Sequence, residues 1–420
     1  LKILIVIALS SALLASLVTS AAYAPNRTEA RASDINKSSG FTFIGDGYYR
    51  KLPIQTKHPI LLNILQDRNY ARIKEKEIDN ALTVKRLIGD RLVPLDTVKF
   101  KASIKIRHGT IPLKLQKFQT EGKTVVIPDN MDDFPAQFAI SPDGRKSLIA
   151  SDDGLWLAIP ADNRLKRISA GSYKGKSYEE LEKKSIEAHG KNLVAWNADA
   201  MFSPDGTKIV YKSNKNNVGV RGAALFAYDL ASGTETVIGD TAEADYMVLG
   251  WVTPETMVCQ KFSIAGISVV LIDLNGKETK LRLAGEKPAI YAVQNEFIAY
   301  ATELSGGDIH IAKANAAGTV QEISTVKMRG TIRLRGNNGF SPDHSYFAFI
   351  YVPDKKQTQR YLKVVDLQSN TVTDIDSLPD RVRSSARYLD FEWADADRLL
   401  ITLQEETAGR KMTSTWSYSL

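Results

Sequence analysis

From about residue 129 to the C-terminus, apolar and polar positions alternate in short runs that are broken at close intervals by turn residues. This is the period-two pattern of half-buried strands. "AMFSPDGTKIVYKSN", residues 200–214, shows it in miniature: an apolar approach, a four-residue turn, then alternation again. The turn Ser-Pro-Asp-Gly stands at Ser141–Gly144 and at Ser203–Gly206, and Ser341–His344 is a near copy. Proline presets φ at the second position, aspartate bonds its own backbone at the third, and glycine accepts a left-handed conformation at the fourth. His344 fills that last slot once and reads as a turn substitute, because histidine is among the better tolerated side chains at positive φ.

Aligned on these turns, the chain divides into six units of about 49 residues over about 290, a period in the range of propeller blades. The second unit reads "AWNADAMF", "SPDG", "TKIVYKS", "AALFAYDL", "ASG", "TETVIG", which offers four strands. The units beginning near Tyr246, Ile290 and Tyr388 are degenerate copies without the full turn. The sixth unit ends after three strands, so an edge is left to be covered. The orphan strand Lys123–Asp129 is the expected fourth strand, closing the ring end to end.

Residues 41–122 have a different texture. Leu61, Leu62, Ile64, Leu65, Ile73, Ile78, Leu82, Val84 and Leu87 fall at mostly helical spacings between Pro59 and Gly89, which predicts one or two helices. "VKFKASIKIRH" then sets Phe100, Ala102, Ile104 and Ile106 against Lys99, Lys101, Lys105 and Arg107, a strand with a basic outer face. A further helix is expected at Ser177–Gly190, opened by a capping box. Residues 1–24 carry Lys2, an apolar run and small residues before Ala24, the pattern of a signal peptide, and residues 25–40 read as a polar linker. The expected fold is therefore mainly β: a six-bladed β-propeller over 123–420, preceded by a small α/β module at 41–122 and an N-terminal signal segment. The protein is expected to be exported, periplasmic or extracellular, and membrane-tethered only if that segment is retained.

At Ser141–Gly144, Ser203–Gly206 and Ser341–His344, and in endings such as "FAYDLASGTETVI" and "DIHIAKANAAGTVQEI", the chain resembles the TolB-like propeller repeats, also found in prolyl oligopeptidase and dipeptidyl peptidase propellers. The resemblance implies the architecture and, for TolB-like proteins, an exported α/β module ahead of six blades. The repeated residues are structural and carry little about function.

Composition narrows the chemistry. The formal net charge is +7, with acidic residues interspersed among the basic ones. The one cysteine, Cys259, lies in an apolar strand and reads as a buried small hydrophobe. No Gly-x-Ser-x-Gly elbow is present, which argues against an appended serine hydrolase. The five histidines are dispersed, no phosphate loop or dinucleotide fingerprint occurs, and no cofactor, metal or nucleic-acid partner is expected. Two adjacent inter-blade connections are basic: one brings Lys327, Arg329, Arg333 and Arg335, the other Arg381, Arg383 and Arg387. Gathered at a channel mouth they would set up a positive field suited to a protein or an anionic envelope polymer. The sequence thus points to a non-catalytic binding protein. The alternative is a propeller lyase or hydrolase whose acidic and histidine side chains converge in the channel.

Overall fold

A computed structural model of the chain describes residues 41–420 apart from 65–81, 107–108, 130–137, 152–153, 163, 171–196, 216–222, 240–243, 286–287, 304–305, 329–330, 334–338, 353–359, 376–378, 380–381, 383–385 and 408–409. Its strands form eight antiparallel sheets, the blades of a β-propeller. Blade 1 comprises Tyr48–Lys51, Ile60–Ile64, Leu82–Ile88 and Arg91–Pro94, and blade 2 comprises Thr97–Ile106, Gly109–Thr120 and Lys123–Pro128. Blades 3 to 8 match the six sequence units in order. Their first strands are Phe138–Ile140, Asn197–Phe202, Ala244–Thr253, Ala289–Gln294, Thr331–Arg333 and Arg387–Trp393.

A blade is stable only because both of its faces are covered by neighbours. Each junction has its own apolar cluster. Leu148, Leu157, Tyr211 and Phe226 join blades 3 and 4; Leu225, Trp251, Met257 and Cys259 join 4 and 5; Val258, Leu271, Ile298 and Tyr300 join 5 and 6. Ile309, Ile311, Phe347 and Phe349 join 6 and 7, and Ile350, Leu362, Trp393 and Leu403 join 7 and 8. Period-two alternation serves both sides of one sheet. In Lys123–Pro128, Val125 and Ile127 pack with Leu62 and Val84 of blade 1, while Val126 packs with Ile149 and Trp156 of blade 3.

The ring closes where the chain's described ends meet. Phe41–Asp46 pairs antiparallel with Arg410–Ser419 as the fourth strand of blade 8, setting Phe41 against Tyr418 and Phe43 against Trp416. Ile44 then packs with Tyr49, Leu61 and Leu87 of blade 1 and with Ala394 and Leu400 of blade 8.

Three expectations are corrected. The propeller has eight blades, not six. The region expected as a small α/β module supplies blades 1 and 2: the helical spacing covers the strands Ile60–Ile64 and Leu82–Ile88, with 65–81 outside the described residues. Ile60, Leu61 and Leu62 are all fully buried, so this strand is apolar on both faces and shows no alternation. Finally, Lys123–Pro128 does not close the ring, since it pairs with Gly109–Thr120 inside blade 2. Thr97–Ile106 is a strand, as its alternation predicts. The signal segment, the linker and the helix expected at 177–190 lie outside the described residues.

The recurring turn is built as its sequence suggests. Gly144 N–H donates to Ser141 O at 2.7 Å, Lys146 N–H to Ser141 Oγ at 2.9 Å, and Arg145 N–H to Asp143 Oδ1 at 3.0 Å. Equivalent bonds recur at Ser203–Lys208 and Ser341–Tyr346. The three serines are fully buried. Desolvation would raise the Asp143, Asp205 and Asp343 carboxyls, but the serine hydroxyl and turn amides outweigh it and hold all three below the usual range. Gly144, Gly206 and His344 share positive φ values of 70°, 68° and 60°.

A Cβ at Gly144 would stand 2.7 Å from Ile54 Cγ2, whereas one at Gly89, φ +56°, would meet nothing within 4 Å. Gly89→Ala is therefore expected to cost about 1 kcal/mol, the left-handed penalty alone, and Gly144→Ala about 2–3 kcal/mol with the clash added. Urea denaturation of the two variants checks this, and equal losses would mean that Ile54 simply moves aside.

Candidate functional site

The first strand of blade 8, Arg387–Trp393, divides its side chains between two neighbours. Tyr388, Phe391 and Trp393 belong to the cluster shared with blade 7, where Tyr388 Oη donates to Ile375 O at 2.7 Å and Trp393 Nε1 to Gly339 O at 3.1 Å. A register shift between Tyr388 and Asp390 turns Asp390 and Glu392 to the other side, toward blade 1. There Tyr48 Oη donates to Asp390 Oδ2 at 2.8 Å, Lys51 N–H to Glu392 Oε2 at 2.6 Å, and Lys51 Nζ to Ala394 O at 2.8 Å. The inner end of the seam between blades 8 and 1 is thus polar, beside an apolar outer part.

Burial dominates the electrostatics. It pushes the Glu392 carboxyl up to about 7, with the Lys51 amide and the Arg50 charge opposing and Asp390 reinforcing. Burial also raises the Tyr48 phenol, helped by Asp390, and lowers the Lys51 ammonium against the pull of Glu392. A carboxyl that titrates near neutral pH next to a second carboxylate can hold and release a proton at working pH.

A second polar seam lies half a turn around the ring, between blades 4 and 5. Lys212 Nζ pairs with Asp245 Oδ1 at 2.6 Å, and Asp199 sits close by at φ +52°. Burial raises the Asp199 carboxyl, Lys212 opposes this, and Asp245 adds to it. An aspartate held in the left-handed region on a first strand is a locally strained position of the kind that clusters at functional sites. Among the described residues no three His, Cys, Asp or Glu side chains form a group that could hold a metal ion.

The sequence-derived basic residues are only partly visible. Lys327 is exposed just after blade 6, and Arg387 is half-buried at the start of the first strand of blade 8. Arg333 lies in the first strand of blade 7, and its side chain is outside the described set, as are Arg329, Arg335, Arg381 and Arg383 entirely. Sequence reading missed Arg360, which opens onto the same rim from blade 7 and donates through Nη1 to Tyr388 O at 3.4 Å. It also missed Tyr48, Asp390 and Glu392. The spacing Asp-Phe-Glu on a first strand was the available signal, but no local pattern tells which neighbour it faces. His344 stacks flat on Phe297 with centroids 4.4 Å apart, and His310 lies in a strand beside Tyr300 and Glu322. Cys259 is fully buried, with its thiol pushed up to about 12 by desolvation.

No family model matches the chain, and no curated protein matches it. Solved structures with similar shapes include the oligogalacturonate lyase of Vibrio parahaemolyticus, with 13% identity, TM-score 0.45, and coverage of 77% of this chain and 98% of that one. Dipeptidyl peptidase 4 of Porphyromonas gingivalis gives 10% identity and TM-score 0.49 over 89% of this chain and 59% of the peptidase. TolB of Acinetobacter baumannii gives 14% identity and TM-score 0.33 over 77% of this chain and 80% of TolB. The class that the strands themselves define is an eight-bladed β-propeller.

Glu392 supplies a signed prediction. Its folded pKa lies above the ordinary 4.5, so the native state holds an extra proton between about pH 4.5 and 7, and stability falls as pH rises through that window. Glu392→Gln keeps an acceptor for Lys51 N–H and removes the penalty. The variant is expected to match the parent near pH 4 and to exceed it by about 3 kcal/mol at pH 8, read from urea denaturation at both pH values.

Proposed function

We propose that this protein is an exported, non-catalytic binding propeller that recognises a protein or an anionic envelope polymer at one mouth of its channel, where blades 6, 7 and 8 adjoin. The observation that carries this reading is the arrangement of cations on one rim. Lys327 leaves blade 6, Arg360 enters blade 7 and Arg387 enters blade 8, all at strand ends on the same side of the ring. The chain passes from blade 6 to blade 7 and from blade 7 to blade 8 on that side of the ring, just after Lys327 and just before Arg387. Closely spaced cations over low-dielectric walls attract a polyanion more strongly than isolated ones do. The export half of the proposal rests on the pattern of residues 1–24.

Tyr48, Asp390 and Glu392 support the second reading, a lyase or hydrolase that works at the blade 8–blade 1 seam, because one carboxyl there titrates near 7. On that reading, bond-cleaving turnover would follow a group of pKa near 7 and vanish in Glu392→Gln.

The binding reading predicts that Ala at Arg333, Arg335, Arg381 and Arg383 together weakens binding of dextran sulfate by tenfold or more and flattens its dependence on salt. Calorimetric titration at two ionic strengths measures both. Unchanged affinity in the variant would refute the channel-mouth site.

A further inference from the structure

On the outer rim of blades 4, 5, 6 and 7 one arrangement recurs among the described residues. In blade 4, Lys215, just past the second strand, pairs with Glu235 of the fourth strand at 2.6 Å. In blade 5, Lys261 of the second strand pairs with Glu278 of the fourth at 2.8 Å. In blade 6, His310 of the third strand meets Glu322 of the fourth at 2.8 Å, and in blade 7 Lys363 of the third pairs with Asp374 of the fourth. In each case a side chain from an inner strand, or just after one, meets a carboxylate on the outermost strand of the same blade, a lysine in blades 4, 5 and 7 and a histidine in blade 6.

Blade 2 has three strands among the described residues, and its lysines stand outside this scheme. The register sets Lys101 directly opposite Lys114, with Lys99 two residues along on the same face. All three are exposed. Lys99 pairs with Asp129 at 2.9 Å, but among the described residues no carboxylate pairs with Lys101 or Lys114. Like charges directly opposite one another in a sheet are destabilising. On the other face Lys117 lies over the Phe100 ring, 5.8 Å from its centroid. Among the described residues Thr97–Ile106 is also an unpaired edge. It is ten residues long, ends its sheet, and leaves Val98 57% exposed. The outermost strands of blades 4, 5 and 7 have four residues or fewer.

We propose that this edge docks an acidic, extended polypeptide segment, which adds along Thr97–Ile106 as a fourth strand and supplies the carboxylates that outer strands give to the lysines of blades 4, 5 and 7. Backbone hydrogen bonds along the edge give the affinity, and alternate acidic side chains facing Lys99, Lys101 and Lys114 give the selectivity. The site is separate from the channel mouth at blades 6 to 8 and does not depend on it. Lysines on a bare edge also deter aggregation, and that lesser role is what the experiment separates.

The probe is a blocked ten-residue peptide of alternating Val and Glu, titrated into the full chain by calorimetry and followed by amide hydrogen exchange. Binding with new protection of the amides of Thr97–Ile106 is expected. Lys101→Glu creates an attractive pair with Lys114, so the variant stays folded and is at least as resistant to urea as the parent, yet it binds the peptide at least tenfold more weakly. The Ala variant at Arg333, Arg335, Arg381 and Arg383 binds it like the parent. Absence of binding, binding without protection of that strand, or undiminished binding by Lys101→Glu would overturn the proposal. So would equal displacement by dextran sulfate with no change in exchange, since that reports charge alone.

Discussion

Everything in this ring depends on the burial of both faces of every blade. A sheet with two apolar faces has no stable existence alone, and a row of such sheets leaves two faces bare unless its ends meet. The junction of blades 8 and 1 is therefore the constraint on which the others rest. It is secured twice, by the pairing of Phe41–Asp46 with Arg410–Ser419 and by the packing of Ile44, Tyr49 and Leu61 against Ala394 and Leu400. An eight-blade count follows from the same requirement, because the two sheets built from residues 48–128 fill the space between blade 8 and blade 3.

The same seam carries the most perturbed chemistry among the described residues. Apolar packing at its outer part lowers the local dielectric, and Asp390 and Glu392 lie at its inner end, with Tyr48 and the Lys51 amide as partners. Closure and electrostatics are linked there: the burial that joins the two ends of the chain is also what drives the Glu392 carboxyl toward neutrality. The opposite seam, with Asp199, Lys212 and Asp245, repeats the arrangement with an ion pair in place of the phenol.

Charge is managed differently at the outside of the ring. Lysines of blades 4, 5 and 7 lie against aromatic rings and pair with outer-strand carboxylates, as in Lys215 over Phe226 and Lys261 over Tyr246. Each such pair is worth little alone, yet the arrangement recurs in blades 4, 5 and 7.

Local chemistry was enough to read the repeated turn, and with it blades 3 to 8. A buried serine, a preset proline, an aspartate bonding its own backbone and a residue at positive φ need only six neighbouring residues to form, so Ser141–Lys146 and Ser203–Lys208 announce themselves in the sequence. Blades 1 and 2 do not, because Ile60, Leu61 and Leu62 face apolar neighbours on both sides and lose the alternation that marks a half-buried strand. The strand that closes the ring, the partners of Asp390 and Glu392, and the lack, among the described residues, of a carboxylate paired with Lys101 or Lys114 were decided only by tertiary structure. Tyr48 and Asp390 stand 342 residues apart and meet because the ring closes, a long-range event that no spacing along the chain encodes.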